Sequence, residues 1–421
     1  MNKEKEQISS WSRKNHNLFE TFALEIQEFT ENGVLPAHAD QDMRYCMELQ
    51  RERLKSENIR MRYEFIPKGP FANDASTYGK KWSDDYYTSQ MAFRTCDWKR
   101  EFYQGEKRLF RKQGPYTFYQ TTTTAKSFDV VGSQLYACPN CNGSSTLTTL
   151  REGCPYCGTH FKISELFPKV TTYYLLENMP FEKDMKNSIW KVMLLVGMAF
   201  LVYSLLMGKQ DLGVLRFLLE AVLPSVLGGV VLGYFIWSVA TIAKIFYKAA
   251  ESTPMLFHIA GSEKKFVSRM QQYSGEFSYE YFGNKAVSLL KMILFSKDAT
   301  ELPIYTGEAL GDRFLNIMDA SYVGGMSLKE FKVEGDYCRV KVGIYMENMY
   351  KIGQSIRKKK EMLVVTLQKN IAKPIDYNFS IRNIQCPSCN YSFDATKQKH
   401  CLGCGTAYEV AEEDWLVTSI E

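Results

Sequence analysis

The sequence has 421 residues, which is too many for one ordinary hydrophobic core and enough for two or three modest domains. Hydrophobic residues make up 45% of the chain and charged residues 24%, a globular composition that excludes a fibre or a disordered chain. The net charge of +5 is too small to indicate a nucleic-acid partner by itself, and the mean hydropathy of −0.28 excludes a multi-pass transporter.

Residues 1–136 predict an N-terminal α+β domain in which helices precede strands. The segment Met1–Gln7 is charged, so we expect no secretory signal peptide. The spacing of apolar residues predicts helices over Leu18–Glu28 and Asp40–Lys55. Segments rich in β-branched and aromatic residues predict four strands, separated by breaks at Lys68–Pro70 and Gln113–Pro115: Ile59–Ile66, Tyr86–Phe93, Tyr116–Thr123 and Phe128–Tyr136.

Four Cys-x-x-Cys pairs form the most specific pattern in the sequence. They combine into one set within residues 137–166 and another within residues 381–421: Cys138, Cys141, Cys154 and Cys157, then Cys386, Cys389, Cys401 and Cys404. Four thiolates suit a tetrahedral Zn²⁺ ion and leave no open position for catalysis. The sequence therefore predicts two zinc ribbons with one structural ion each. Thiolates also bind iron, so the type of ligand does not exclude iron as the metal. Thiol–disulfide chemistry is the less favoured alternative.

The residue after each Cys-x-x-Cys pair supports this prediction. A Cys-x-x-Cys turn places that residue in the left-handed conformation, which Gly and Asn tolerate best. The four positions hold Asn142, Gly158, Asn390 and Gly405. The histidines beside the pairs, His160 and His400, are not needed as ligands. The remaining cysteines are expected to be small core residues: Cys46, Cys96 and Cys338.

Two long apolar runs, residues 189–207 and 221–243, predict a transmembrane helical hairpin over residues 189–243. Lysines concentrate at the outer ends of the pair, so we expect both termini in the cytoplasm and the hairpin in the cytoplasmic membrane. Small residues at every fourth position of the second run predict close packing on the first helix: Ala221, Ser225, Gly229 and Gly233. The general frequency of glycine in membrane helices explains them equally well. A pair of buried helices in a soluble core is the alternative.

Residues 262–380 predict a second α+β domain with the same order of elements. Helices are expected over Lys264–Phe282 and Asn284–Phe295, and a loop over Gly353–Lys360. The strands are expected at Ser327–Val333, Cys338–Met346 and Glu361–Lys369. In both halves the last strand leads into a Cys-x-x-Cys pair, which suggests a divergent internal duplication. The alternative is that any α+β domain followed by a ribbon has this order.

Three segments of the second half resemble a known family: Phe266-Val-Ser-Arg-Met-Gln-Gln-Tyr273, Asp336-Tyr-Cys-Arg-Val-Lys-Val342 and Leu363-Val-Val-Thr-Leu-Gln-Lys369. With the ribbon and the tail Glu413–Ile420, they resemble the Tim-forty-four-like domain of bacterial membrane proteins that carry zinc ribbons. That family is named for the membrane anchor of the mitochondrial import motor. The resemblance implies an α+β fold of the nuclear-transport-factor-2-like class, with a curved sheet and a groove. It also implies docking of translocation machinery, ribosomes or anionic lipid, without catalytic residues.

These observations predict a non-enzymatic, membrane-anchored adaptor that holds cytoplasmic modules at the bilayer for protein-transport or ribosome-associated partners. A module that binds anionic lipid or ribosomal RNA is the alternative, through the basic run Arg357, Lys358, Lys359 and Lys360, although a solvated hairpin tip is the favoured explanation of this run. An enzyme that uses a groove of one α+β domain is the third hypothesis, although the sequence has no Gly-x-Ser-x-Gly or His-Glu-x-x-His motif. No catalytic residue or small-molecule substrate is expected.

Overall fold

The computed structural model describes residues 21–67, 78–83, 87–125, 135–137, 141, 143–146, 149–150, 153–158, 169–178, 183–207, 218–259, 262–273, 277–372, 383–386, 388–389, 391–394, 397–412 and 414–421. The chain divides into two compact units. Residues 1–177 and 258–421 form one, called the α+β unit here, and residues 178–257 form the other, called the hairpin unit. The chain therefore returns to the α+β unit after the two apolar runs.

The first half of the α+β unit has two helices and a five-stranded antiparallel sheet. In chain order, and with a two-stranded ribbon (β5 and β6) before the last strand, its elements are α1 (21–32), α2 (Gln41–Ser56), β1 (Ile59–Pro67), β2 (Tyr78–Ser83), β3 (Tyr87–Gln104), β4 (Lys107–Ala125), β5 (Leu135–Ala137), β6 (Ser144–Thr146) and β7 (Lys169–Glu177). The strand order is β1-β3-β4-β7, with β2 also paired to β3.

The predicted helices of this half are confirmed within the described residues, and Asp40 caps α2 by accepting a hydrogen bond from the backbone N of Met43 at 2.7 Å. The predicted break at Gln113–Pro115 is wrong, because β4 runs through it. Strand β7 ends opposite Tyr116, so β4 has a free edge at Pro115, where a missing N–H group is tolerated. The predicted break at 68–70 and most of the predicted strand Phe128–Tyr136 lie outside the described residues.

The hairpin unit consists of helices α3 (Lys183–Met207) and α4 (Leu223–Ile259), and a π-helical turn, Leu218–Val222, leads into α4. Both helices are long and apolar enough to cross a membrane, with mean hydropathies of 2.1 over Ser188–Leu206 and 1.9 over Leu219–Ala243. Almost none of these apolar stretches is buried, 0% and 11% respectively, in contrast to helices of a soluble core.

The predicted face of small residues packs α4 against α3. A Cβ atom added to Gly229 would lie 2.8 Å from the Cα atom of Gly197, and one added to Gly233 would lie 2.7 Å from the Cα atom of Met193. Ala221 and Ser225 of the same face are buried. This contact confirms the predicted role of the small residues, which let two helix backbones approach closely.

The second half of the α+β unit has a four-stranded antiparallel sheet in the order β13-β10-β9-β8. Its elements are α5 (Ser262–Met270), α6 (Tyr279–Phe295), α7 (Asp312–Leu315), β8 (Ile317–Glu334), β9 (Tyr337–Ile352), β10 (Ser355–Asn370), β11 (Asn383–Gln385), β12 (Ser392–Asp394) and β13 (Leu416–Ile420). Helix α6 packs on one face of this sheet, over a core that includes Leu290, Ile344 and Leu363.

Two predictions for this half are wrong. The predicted helix Lys264–Phe282 is interrupted, since α5 ends at Met270 and Ser278 caps α6 by accepting a hydrogen bond from the backbone N of Tyr281 at 3.2 Å. The predicted loop Gly353–Lys360 is only a two-residue turn, because Gly353 adopts φ = +56° and β10 begins at Ser355.

Both sheets follow the same plan. In each, a long strand turns at a left-handed glycine, Gly105 or Gly353, and the next strand leads into the ribbon. The same number of residues separates Gly105 from Cys138 and Gly353 from Cys386. After the ribbon, the chain returns with a strand that pairs with the one before it, β7 on β4 and β13 on β10. The predicted limits at residues 136 and 380 leave out these returning strands.

Candidate metal centres and the contact between the two halves

The cysteines of the second ribbon converge on one point. Strands β11 and β12 pair antiparallel and hold the first turn, with Cys386 and Cys389, against the second turn, with Cys401 and Cys404. The Sγ atoms of Cys386 and Cys404 lie 3.5 Å apart, as do those of Cys389 and Cys401, and all four lie within 4.8 Å of one another. Sulfurs around a tetrahedral zinc ion lie about 3.8 Å apart, given a Zn–S bond of about 2.3 Å. The geometry therefore suits one metal ion and not disulfide bonds.

The electrostatics of this cluster also favour a cation. Burial opposes ionisation of the Cys386 thiol, but backbone N–H groups of Ser388 and Cys389 outweigh it and lower the pKa of Cys386 to about 6. The backbone N–H group of Tyr391 favours the Cys389 thiolate, but hydrogen bonds with the neighbouring sulfurs of Cys404 and Cys401 raise the pKa of Cys389 to about 12. Four thiolates this close can be charged together only around a positive ion.

Three of the four predicted ligands of the first ribbon come together in the same way. The sulfur atoms of Cys141, Cys154 and Cys157 lie within 4.8 Å of one another, with 3.6 Å between Cys141 and Cys154. Cys138 lies outside the described residues. Strands β5 and β6 pair in the register of β11 and β12, because Ala137 faces Ser144 as Gln385 faces Ser392. Both cysteine clusters could therefore hold a metal ion.

The residues around the clusters follow the predictions where they are described. Gly158 and Gly405 adopt φ = +69° and +74°, which confirms the left-handed position after a pair, while Asn142, Asn390 and His160 lie outside the described residues. His400 lies outside the cysteine cluster and pairs with Ala407 in a β-bridge. The three remaining cysteines are buried as predicted, and burial raises the pKa of the Cys338 thiol to about 12.

Each ribbon packs one tyrosine on one glycine, but with the two residue types exchanged. In the first ribbon, the Tyr156 ring covers Gly143, whose added Cβ atom would lie 2.5 Å from that ring. In the second, Tyr391 covers Gly403, whose added Cβ atom would lie 3.1 Å from the Tyr391 ring. Gly143 and Tyr391 both stand two positions after a ligand cysteine, whereas Tyr156 and Gly403 both precede the last one. Each ribbon therefore contains one tyrosine ring and one glycine that leaves room for it.

The second ribbon is attached to both halves of the α+β unit. The Lys397 ammonium group lies 3.4 Å from the Glu48 carboxylate and 5.1 Å from the centre of the Tyr45 ring, both on α2. Lys399 donates a hydrogen bond to the backbone O of Tyr305 at 3.0 Å, in the second half. The metal centre is therefore linked to the contact between the halves.

A buried arginine joins the two sheets. The Arg100 side chain of β3 is 1% exposed, and its guanidinium group binds the Asp319 carboxylate of β8 at 3.1 Å and the Glu347 carboxylate of β9. Asp319 also accepts hydrogen bonds from Gln50, at 2.9 Å, and from the Tyr63 hydroxyl. Burial opposes ionisation of Glu347, but Arg100 and Lys358 outweigh it and lower the pKa of Glu347. The buried charges neutralise one another, and this arrangement is more typical of a structural role than of a catalytic role.

A second buried ion group lies where α2, α6 and the C-terminal segment meet. The Lys285 ammonium group lies 3.0 Å from the carboxylates of both Asp42 and Asp414. Burial disfavours the charged lysine, but the two carboxylates outweigh it and raise the pKa of Lys285. Sequence reasoning did not identify either ion group, because single charged residues in helices and strands carry no local signal of their distant partners.

The basic run predicted as an alternative site is part of strand β10. Lys358 is ion-paired with Glu347 at 3.1 Å and with Glu177 at 3.5 Å, and Lys359 with Glu361 at 2.8 Å. Arg357 and Lys360 are exposed. Half of the run is therefore neutralised by neighbouring strands, which leaves two basic side chains for an external anion.

Comparison of the chain with protein-family models, with curated proteins and with solved structures finds no match in any of the three. The resemblance to the Tim-forty-four-like family therefore remains a prediction from the sequence.

Proposed function

We propose that this protein is a membrane-anchored, non-enzymatic adaptor whose α+β unit and two zinc ribbons dock a protein partner at the cytoplasmic face of a membrane. The observation that carries the proposal is the hairpin unit. Its two apolar helices expose nearly all of their apolar stretches and pack through glycines, as helices do in lipid. The α+β unit of the same chain contains two groups of buried charged side chains, one around Arg100 and one around Lys285. Within each group, the basic side chain is paired with two carboxylates.

Zinc is the proposed metal of both clusters. Thiolate ligands favour zinc over magnesium, calcium and manganese, and a closed set of four gives zinc its preferred tetrahedral geometry. A ribbon buries little apolar surface, so the metal would supply most of its folding free energy. The exposed side chains of Tyr156 and Leu402, 69% and 66% exposed, give the two ribbons apolar contact points for a partner.

Membrane insertion is tested first. We expect the protein to remain in the pellet after alkaline carbonate extraction, and we expect Cys404 to be unreactive toward a membrane-impermeant maleimide added outside intact cells, even after metal removal. The same reagent should label Cys404 in inverted vesicles, which controls for accessibility. Extraction into the supernatant contradicts the anchor, and labelling from outside contradicts the orientation.

Docking is tested by affinity capture from detergent-solubilised membranes. We expect one protein partner to be recovered with the wild-type chain and lost with Tyr156→Ala or Leu402→Ala, while both variants keep their metal. Capture that is equal for all three chains would exclude the ribbon surfaces as the docking sites.

Binding of anionic lipid or ribosomal RNA through Arg357 and Lys360 is the second candidate, because these two side chains are exposed at one end of β10. Replacing both with Gln should then weaken sedimentation with phosphatidylglycerol vesicles or with ribosomes.

A further inference from the structure

A cavity opens in the first half of the α+β unit, where α2 ends and β1 begins. Its volume is about 540 Å³, against about 30 Å³ for each of two cavities between the halves. The ends of α1 and α2, the start of β1 and the turn between β3 and β4 surround it. Cavities that bind small molecules usually measure about 300–1,000 Å³.

The inner wall of this cavity is apolar. Phe29, Leu54, Ile59 and Met61 line it and are each 4–7% exposed, so their remaining surface faces the cavity or its immediate surroundings. All four belong to the hydrophobic core of the first half. A ligand group that covers this wall must therefore be apolar.

The rim of the cavity carries a positive charge. Arg51, Lys55 and Arg60 are exposed there, and none of them takes part in an ion pair with a described residue. Arg51 donates a hydrogen bond to the backbone O of Gly33 at 2.8 Å, and the Arg60 guanidinium lies 5.3 Å from the centre of the Tyr103 ring. Of the two carboxylates on the rim, Glu31 is already paired with Arg62 at 2.7 Å, which leaves Glu106.

Three residues with a left-handed backbone conformation line the cavity. Gly33, Asn58 and Gly105 adopt φ = +73°, +52° and +55°, and Asn58 is the only described residue other than glycine with a positive φ. Asn58 is held by a hydrogen bond from its backbone N to the backbone O of Lys55 at 3.1 Å. Three turns of the backbone therefore meet at the cavity.

The second half shows how the same junction is closed. Residues 296–316 separate α6 from β8, whereas only Glu57 and Asn58 separate α2 from β1. The inserted segment supplies five buried apolar side chains to the core of the second half: Ala299, Leu302, Ile304, Tyr305 and Phe314. The first half lacks such a segment, and the cavity lies at this junction.

We infer that the cavity binds a small amphiphilic anion. Its apolar ring or short chain lies on Leu54, Ile59 and Met61, and its carboxylate, phosphate or sulfonate group lies between Lys55 and Arg60. This site does not depend on the proposed adaptor function, because it uses the first half of the α+β unit alone.

The probe is naphthalene-1-sulfonate, titrated by fluorescence anisotropy against the full chain in neutral lipid nanodiscs, with empty nanodiscs as the blank. We expect saturable binding that weakens about tenfold in Lys55→Gln/Arg60→Gln, since each exposed ion pair contributes up to about fivefold in affinity. The matched control, Lys332→Gln/Arg339→Gln, removes two exposed basic residues from the second sheet and should bind like the wild type.

Location is tested separately by cysteine labelling. Saturating naphthalene-1-sulfonate should slow maleimide labelling of Lys55→Cys and leave the rate for Lys332→Cys unchanged, as read by mass spectrometry. If decyl phosphate and benzoate each compete with the probe, the ligand class includes both lipid-like and aromatic acids. If only one of them competes, the ligand class is limited to that kind of acid. Absence of saturable binding, equal loss in the control pair, or no protection of Lys55→Cys overturns the inference.

Discussion

The sheets of the two halves share the order of their last three strands, β3-β4-β7 and β9-β10-β13, but the halves complete their cores in different ways. The core of the first half takes in Met318, Met349 and Ile356 from the second. The core of the second half takes in Tyr45 and Cys46 of α2, and the Cys46 thiol donates a hydrogen bond to the backbone O of Ser288 at 3.2 Å. The two sheets therefore share core residues and do not have separate interiors.

Equivalent positions of the two sheets carry different residue types for a physical reason. Glu347 and Met349 stand as far before Gly353 as Lys99 and Glu101 stand before Gly105. In the second sheet this face lies against the first half, so Met349 is buried in apolar contacts and Glu347 needs Arg100. In the first sheet, Lys99 and Glu101 bind each other at 3.1 Å. The association of the two sheets is therefore not symmetric, and positions at the same distance from the turn have different surroundings.

Metal removal should give the largest difference between the halves. We expect Cys154→Ser and Cys401→Ser each to lose one of two bound ions, at an apparent cost of about 10 kcal/mol in metal-binding free energy. Cys401→Ser should also expose β10 and β13 to proteolysis more strongly than Cys154→Ser exposes β4 and β7, because the second ribbon is fixed to Glu48 and Tyr305. Metal analysis and limited proteolysis measure both effects. Equal proteolysis of the two variants would contradict the unequal attachment of the ribbons.

The interdependence of the cores is tested at Arg100. Replacing Arg100 by Met should lower the unfolding free energy by about 3–5 kcal/mol, because it leaves Asp319 and Glu347 buried without their cation. Hydrogen exchange should rise together in β4 and β10. The exposed control Arg339→Met should cost less than about 1 kcal/mol. If exchange rises in β4 alone, the halves unfold independently.

The tyrosine–glycine exchange between the ribbons is tested by transplanting it. Gly143→Tyr alone should overpack the first ribbon by about 1–3 kcal/mol, because the new side chain meets the Tyr156 ring. Adding Tyr156→Gly should recover most of this loss by reproducing the second ribbon. The rate of metal release to a chelator measures the effect. If the effect of the double variant on metal release equals the sum of the effects of the two single variants, the two positions do not interact.

The smallest expected effect compares the two hairpin turns. Gly105→Ala and Gly353→Ala should each cost about 1 kcal/mol, because alanine is strained at positive φ and nothing lies within 4 Å of the added Cβ atom in either turn. Gly114→Ala, which also meets nothing but has no positive φ, should change stability little. Denaturant unfolding measures all three. Unequal costs at Gly105 and Gly353 would show that the turns are not equivalent.

Features set by neighbouring residues could be predicted from the sequence. The cysteine clusters, the capped helix α2 and the glycine contact between α3 and α4 all follow from spacing within one short segment. Strand β7 was missed, although Lys169–Glu177 is rich in Val, Thr, Tyr and Leu, because its partner β4 lies on the other side of a ribbon. The Arg100 ion group and the cavity were missed because they depend on how separately formed elements pack together.

The position of each ribbon inside its sheet affects how the chain folds. Strands β7 and β13 are separated from β4 and β10 by residues 126–168 and 371–415, and both segments contain a cysteine cluster. If metal binding orders these segments, a chain without metal keeps the edges of β4 and β10 open for longer, and open edges invite pairing with other chains. Metal supply would then control the rate of sheet closure, and a metal-starved cell would accumulate aggregation-prone protein before it lost any folded protein.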